Sequence, residues 1–82
     1  MTYRILGTKE FESDFKKLDK FFQERIKKKF EEVAENPERY KHLHPPLQDY
    51  CRIRIGKLRI LFSYNIETKI LYLEKIILGH DY

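Results

Sequence analysis

A single cysteine, Cys51, occurs among the 82 residues. One thiol excludes an internal disulfide and suits a reducing cytoplasm. Together with three scattered histidines, His42, His44 and His80, it matches no zinc-ligand spacing, and neither metal nor cofactor is expected. No apolar run approaches the ~20 residues of a membrane-spanning helix, and the N-terminus lacks the pattern of a secretory signal. Internal repeats and low-complexity segments are also missing. One domain covering residues 1–82 is therefore expected, with a core small enough to be marginal. Six Tyr and six Phe supply the bulk needed to fill it.

The most telling absence is local. Tyr50–Tyr64, YCRIRIGKLRILFSY, contains Arg52, Arg54, Lys57 and Arg59 but no acidic residue. The whole chain carries a formal charge of +4, so this segment accounts for the entire excess. Cations fixed on rigid strands can bind and stabilise phosphate, whereas the same charges on a mobile tail only attract it. Nucleic acid is the first partner to consider.

The order of elements follows from periodicity. In Met1–Gly7, Tyr3 and Ile5 alternate with Thr2, Arg4 and Leu6, a strand closed by Gly7. Thr8 is a candidate N-cap, with Glu10 and Glu12 in the first turns that follow. Phe11, Phe15 and Leu18 form one helical stripe. Asp19 can cap a second helix burying Phe22, Ile26, Phe30 and Val33, which Asn36-Pro37 stops. Ten basic and nine acidic residues nearly cancel over residues 1–39. Lys27, Lys28 and Lys29 precede Glu31 and Glu32 closely enough to pair with them, so this face reads as solvated.

From Tyr50 onward the period is two. Cys51, Ile53 and Ile55 face one way; Tyr50, Arg52 and Arg54 face the other. After Gly56-Lys57, Leu58, Ile60 and Phe62 alternate with Arg59, Leu61 and Ser63. A turn over Asn65–Lys69 leads into the apolar strand Ile70–Leu78. The expected fold is α+β, order β-α-α-β-β-β, a helical hairpin packed on one face of a small antiparallel sheet. Arg52, Arg54 and Arg59 then lie on the open face. Four cations without an intervening carboxylate repel one another across paired strands, a cost with no structural return. Lys57 at the turn and Lys75 one strand over extend the phosphate-binding set. Cys51 belongs to the inward face, as a small apolar residue. His42 and His44 flank a proline loop and read as surface residues.

YCRIRIGKLRILFSY resembles the signature of the RelE/ParE toxin superfamily, in which a strand of the form Y-R-I-R-x-G is followed by Y-R-x-x-Y. The similarity runs over essentially the whole chain. It implies a RelE-like fold and the toxin half of a toxin–antitoxin pair. RelE-like members cut messenger RNA in the ribosomal decoding site. By this resemblance Arg52 and Arg54 match the paired basic positions, and Arg59 matches the arginine that clamps the scissile phosphate. Permanently charged, bidentate Arg suits that task.

Metal-free RNA cleavage also needs a base for the 2′-hydroxyl and an acid for the leaving 5′-oxygen. The chain ends Gly79-His80-Asp81-Tyr82. Relatives of the YoeB and YafQ type carry a functional His with an aromatic at or near this end, which makes His80 and Tyr82 the candidates. His80 can exchange a proton at working pH, and Tyr82 offers a phenol or a stacking ring. Two departures stand out: Asp81 occupies the place of a second arginine, and Leu58 and Phe62 replace aromatic-hydroxyl positions. The resemblance thus implies a ribosome-dependent mRNA endonuclease, partnered by the ribosome, mRNA and an acidic, partly disordered antitoxin. The alternative is a non-nucleolytic member, either a ParE-like gyrase inhibitor or a degenerate toxin that only binds antitoxin and DNA. A third is a small basic RNA-binding protein without a toxin role.

Overall fold

The computed structural model describes residues 2–40, 42, 43, 45 and 49–78. Strand β1 spans Arg4–Gly7, helix α1 Lys9–Lys16 and helix α2 Lys20–Val33. A 3-10 turn at Pro37–Arg39 follows, then β2 (Cys51–Ile55), β3 (Leu58–Asn65) and β4 (Ile70–Leu78). This is the α+β fold and the β-α-α-β-β-β order that the periodicity predicts.

β2, β3 and β4 form the expected antiparallel meander. β1 does something that period-two patterning cannot specify. It lies outside β4 and runs parallel to it, with Ile5 beside Leu71, so the sheet is mixed, in the order β1-β4-β3-β2. A parallel neighbour requires a crossover, and the two helices provide it, carrying the chain from one edge of the sheet to the other.

Local signals explain the element ends. The Thr8 hydroxyl accepts from Phe11 N–H at 3.1 Å, capping α1, and donates to Glu74 C=O at 3.0 Å. Asp19 occupies the N-cap position of α2, but its side chain makes no capping bond. Gln23 instead donates to the carbonyls of Phe15 and Leu18, at 2.9 and 3.2 Å, and ties the two helices together. Gly56 has φ +59° at the first central position of the β2–β3 turn, where a II′ hairpin favours glycine.

Both helices cover one face of the sheet. Phe11, Ile26, Phe30 and Val33 meet Cys51, Ile53, Ile60, Phe62 and Leu71, all buried. Phe62 is at the centre, fully enclosed, with Phe30 and Tyr40 edge-on at centroid distances of 5.5 and 6.0 Å. The opposite face of the sheet carries the polar set.

Candidate functional site

The open face is built in cross-strand rows. Arg54 on β2 is the direct partner of Arg59 on β3, which in turn pairs with Ile77 on β4. In the next row Arg52 pairs with Leu61, and Leu61 with Lys75. The structure therefore brings Arg52, Arg54 and Arg59 together on adjacent strands. Lys75 sits on the same face, separated from Arg52 by the buried Leu61. Lys57 is exposed at the hairpin turn, at the far end of that face.

Burial differs among the three arginines. Arg54 is exposed, while Arg52 and Arg59 are half-buried. Arg59 occupies the middle of the sheet, between Arg54 and Ile77, where flanking side chains shield its stem. A guanidinium anchored this way presents its fork from a fixed base, as bidentate phosphate binding requires.

A register shift alters the β4 side. Leu61 pairs with Lys75, but the next residue, Phe62, pairs with Leu73. Glu74 is thus the extra residue of a β-bulge, which re-aims its side chain. Its carboxylate accepts from Ser63 Oγ at 2.6 Å on the open face. Lys75 pairs with Glu10 of α1 at 3.6 Å. Among the described residues, two carboxylates consequently border a face whose central rows hold none. Tyr50, Leu61 and Ile77 join Glu10, Glu74 and Lys75 around a cavity of about 360 Å³ there. Sequence reasoning missed Glu10 and Glu74 at this site. Glu10 arrives through a long-range helix contact, and the bulge that turns Glu74 leaves no mark on the apolar pattern.

A second polar cluster lies at the edge of the core. Tyr3 OH donates to Glu38 at 2.9 Å, and its phenol is raised to about 12 by burial and then by that carboxylate. Tyr64 packs edge-on to Tyr3 at 6.0 Å, and its hydroxyl lies 3.4 Å from His42 Nε2. Burial first, then the neighbouring Cys51 and Glu38, pushes the Tyr64 phenol up. Cys51 is fully buried and its thiol is also raised by desolvation, which fits packing rather than reactivity. His42 is exposed, as the proline-loop reading predicts. His44, His80, Asp81 and Tyr82 lie outside the described residues.

Comparison with known proteins establishes the family and the fold. A family model described as the ParE toxin of type II toxin–antitoxin systems matches residues 5–79. The chain belongs to the RelE/ParE toxin superfamily. A Methanocaldococcus jannaschii relative designated RelE4 is 44% identical over 45 residues, covering 55% of this chain and 48% of its own length. The chain thus spans about half of that relative. An uncharacterised Methanosarcina mazei protein is 36% identical, with 79% of this chain and 80% of the relative covered. Among solved structures, a chain of the RelBE2 toxin–antitoxin complex of Mycobacterium tuberculosis superposes with a TM-score of 0.85 at 20% identity. That superposition covers 95% of this chain and 99% of the other, so the superfamily fold is shared across nearly its whole length. Arg52 and Arg54 lie on β2, and Arg59 lies on β3.

Proposed function

We propose that this toxin-family chain is a ribosome-dependent mRNA endonuclease that works without a metal. The observation that carries the reading is the Arg54–Arg59 cross-strand pair, with Arg52 one row away, on the face the helices leave open. Guanidinium groups fixed opposite one another on rigid strands can together offer charge-assisted donors to one phosphate, and this supports the reading.

The chemistry runs in one displacement. The ribose 2′-oxygen attacks phosphorus, the P–O5′ bond breaks, and a 2′,3′-cyclic phosphate and a 5′-hydroxyl result. A base takes the 2′-OH proton and an acid returns one to the 5′-oxygen. Arg59 holds the phosphate oxygens as charge builds in the phosphorane, and Arg52 and Arg54 add to the field. Lys57 and Lys75 contact flanking phosphates. His80 is the proton-transfer group, and Tyr82 supplies a phenol or a ring on which a base stacks. In the resting complex an antitoxin lays an acidic segment, ordered on binding, across Arg52, Arg54 and Arg59.

Induced expression tests this directly. Growth arrest with messenger RNAs cut inside translated reading frames is expected, and Arg59→Ala in a soluble, folded protein should abolish both. Intact mRNA with altered DNA supercoiling would instead establish the gyrase-inhibitor reading. Two observations favour that second reading: the matching family model is that of ParE toxins, and Asp81 stands where RelE-like members carry arginine. A folded protein without toxicity would identify a degenerate member that retains only antitoxin binding.

A further inference from the structure

The triple lysine of α2 looks like a solvated helix face in the sequence, yet the fold gives part of it another setting. Arg25, Lys28 and Lys29 line a cleft of about 320 Å³ together with Glu32, and its other wall is Arg54 and Ile55 of β2. Among the described residues, four cations therefore face one acid. That acid is already engaged, since Lys29 Nζ lies 3.6 Å from Glu32. Arg54 belongs both to this cleft and to the open face, so the two basic surfaces are continuous around the β2 edge.

Beside the cleft stands an exposed aromatic ring. Phe21 is 63% exposed, and the Arg25 guanidinium lies 5.5 Å from its ring centroid. Phe21, Arg25 and Lys28 border a neighbouring groove that also carries Glu24 and Glu31. An exposed ring within a cationic track is what single-stranded nucleic acid uses, because every base has a face to stack. An acidic peptide would use the cations but has no need of the ring.

We infer that the α2–β2 cleft is a second nucleic-acid track, in which Arg25, Lys28, Lys29 and Arg54 hold the phosphate backbone and an unpaired base stacks on Phe21. This rests on the reading of the open face as an RNA site. It extends that site: a strand held at Arg59 continues past Arg54 onto α2, giving the toxin a grip on RNA away from the cut.

The test is direct binding of the full chain to a 2′-O-methyl oligonucleotide, which cannot be cut because its 2′-oxygen is blocked. Affinity is followed by anisotropy as salt is raised. Lys28→Gln with Lys29→Gln should weaken binding roughly tenfold and flatten the salt slope by about 1.4, since each single-strand phosphate contact contributes about 0.7. Phe21→Ala should weaken it roughly tenfold with the slope unchanged. A control pair, Arg4→Gln with Lys9→Gln, removes equal charge from exposed positions at β1 and the start of α1, at the sheet edge opposite β2, and should change neither. Equal losses in the control pair would reduce the effect to general attraction and overturn the track. So would wild-type oligonucleotide binding by both cleft variants. Loss of poly-glutamate binding with oligonucleotide binding intact would assign the cleft to an acidic protein segment instead. If Arg59→Ala abolishes toxicity while the cleft variants bind normally, only the cleft assignment fails. If the cleft behaves as expected but no RNA is cut on induction, the nuclease reading fails and the track stands.

Discussion

Arg54 and Arg59 are direct cross-strand partners on the open face of the sheet. Opposed cations on neighbouring strands cost stability, by up to ~1 kcal/mol relative to a matched pair. Arg54→Glu converts the repulsion to attraction and should raise stability by roughly 0.2–1 kcal/mol, which is a few degrees in Tm for a domain this size. The same change reverses a charge of the proposed phosphate site, so toxicity should fall sharply. Calorimetry alongside an induction assay reads both. A variant that is less stable, or that is fully toxic, would show that the pair is not held there for a ligand.

Glu10 sits beside Lys75 at 3.6 Å, with both side chains more than half exposed. Such a pair adds little to stability, and Glu10→Gln should leave the unfolding midpoint within about 0.5 kcal/mol of wild type. It should, however, free a cation beside the proposed RNA site. Affinity for a single-stranded oligonucleotide should rise a few-fold, with a steeper salt dependence. Unchanged affinity would remove Lys75 from the phosphate-binding set.

Tyr3 makes an alkaline prediction whose sign follows from its shift. Its phenol titrates near 10.0 when unfolded and at about 12 in the folded chain, because burial and Glu38 disfavour the phenolate. The folded state therefore holds the proton where the unfolded state has lost it. The stability this contributes is complete below pH 10.0 and is lost progressively as pH rises towards 12. Denaturant melts at a series of alkaline pH values should show the decline, and Tyr3→Phe should flatten it. Ultraviolet titration of the folded chain should show a late-ionising phenol that Tyr3→Phe removes. An alkaline decline that is just as steep in Tyr3→Phe would place its cause elsewhere.

The meander was legible because its alternation is strict: Cys51, Ile53 and Ile55 on β2 match Leu58, Ile60 and Phe62 on β3, and both sets are buried. The three arginines followed automatically to the other face. The parallel placement of β1 was not legible, because Tyr3, Ile5 and Leu6 fix a strand but not its neighbour. Helix spacing likewise identified the buried face of α2 but could not show that Arg25 and Lys28 would meet Arg54 across a cleft. Local charge balance describes a helix in isolation, whereas the field at a site depends on what the fold sets opposite it. The acidic border formed by Glu10 and Glu74 was hidden for the same reason, compounded by a one-residue bulge.

Thr8 joins three elements through one hydroxyl. It accepts from Phe11 N–H at 3.1 Å, starting α1, and donates to Glu74 C=O at 3.0 Å, inside the β4 bulge. Its own N–H reaches Leu73 C=O at 3.0 Å, continuing the β1–β4 ladder. Thr8→Ala removes both hydroxyl bonds and should cost about 1–2 kcal/mol, whereas Thr8→Ser keeps the oxygen and should cost much less. Because Glu74 is the bulge residue that turns a carboxylate onto the open face, the loss should also be felt there. Amide exchange at Phe11 and along the bulge should accelerate together in Thr8→Ala. If only the α1 amide responds, the hydroxyl acts as a cap alone and the bulge is held by the sheet itself.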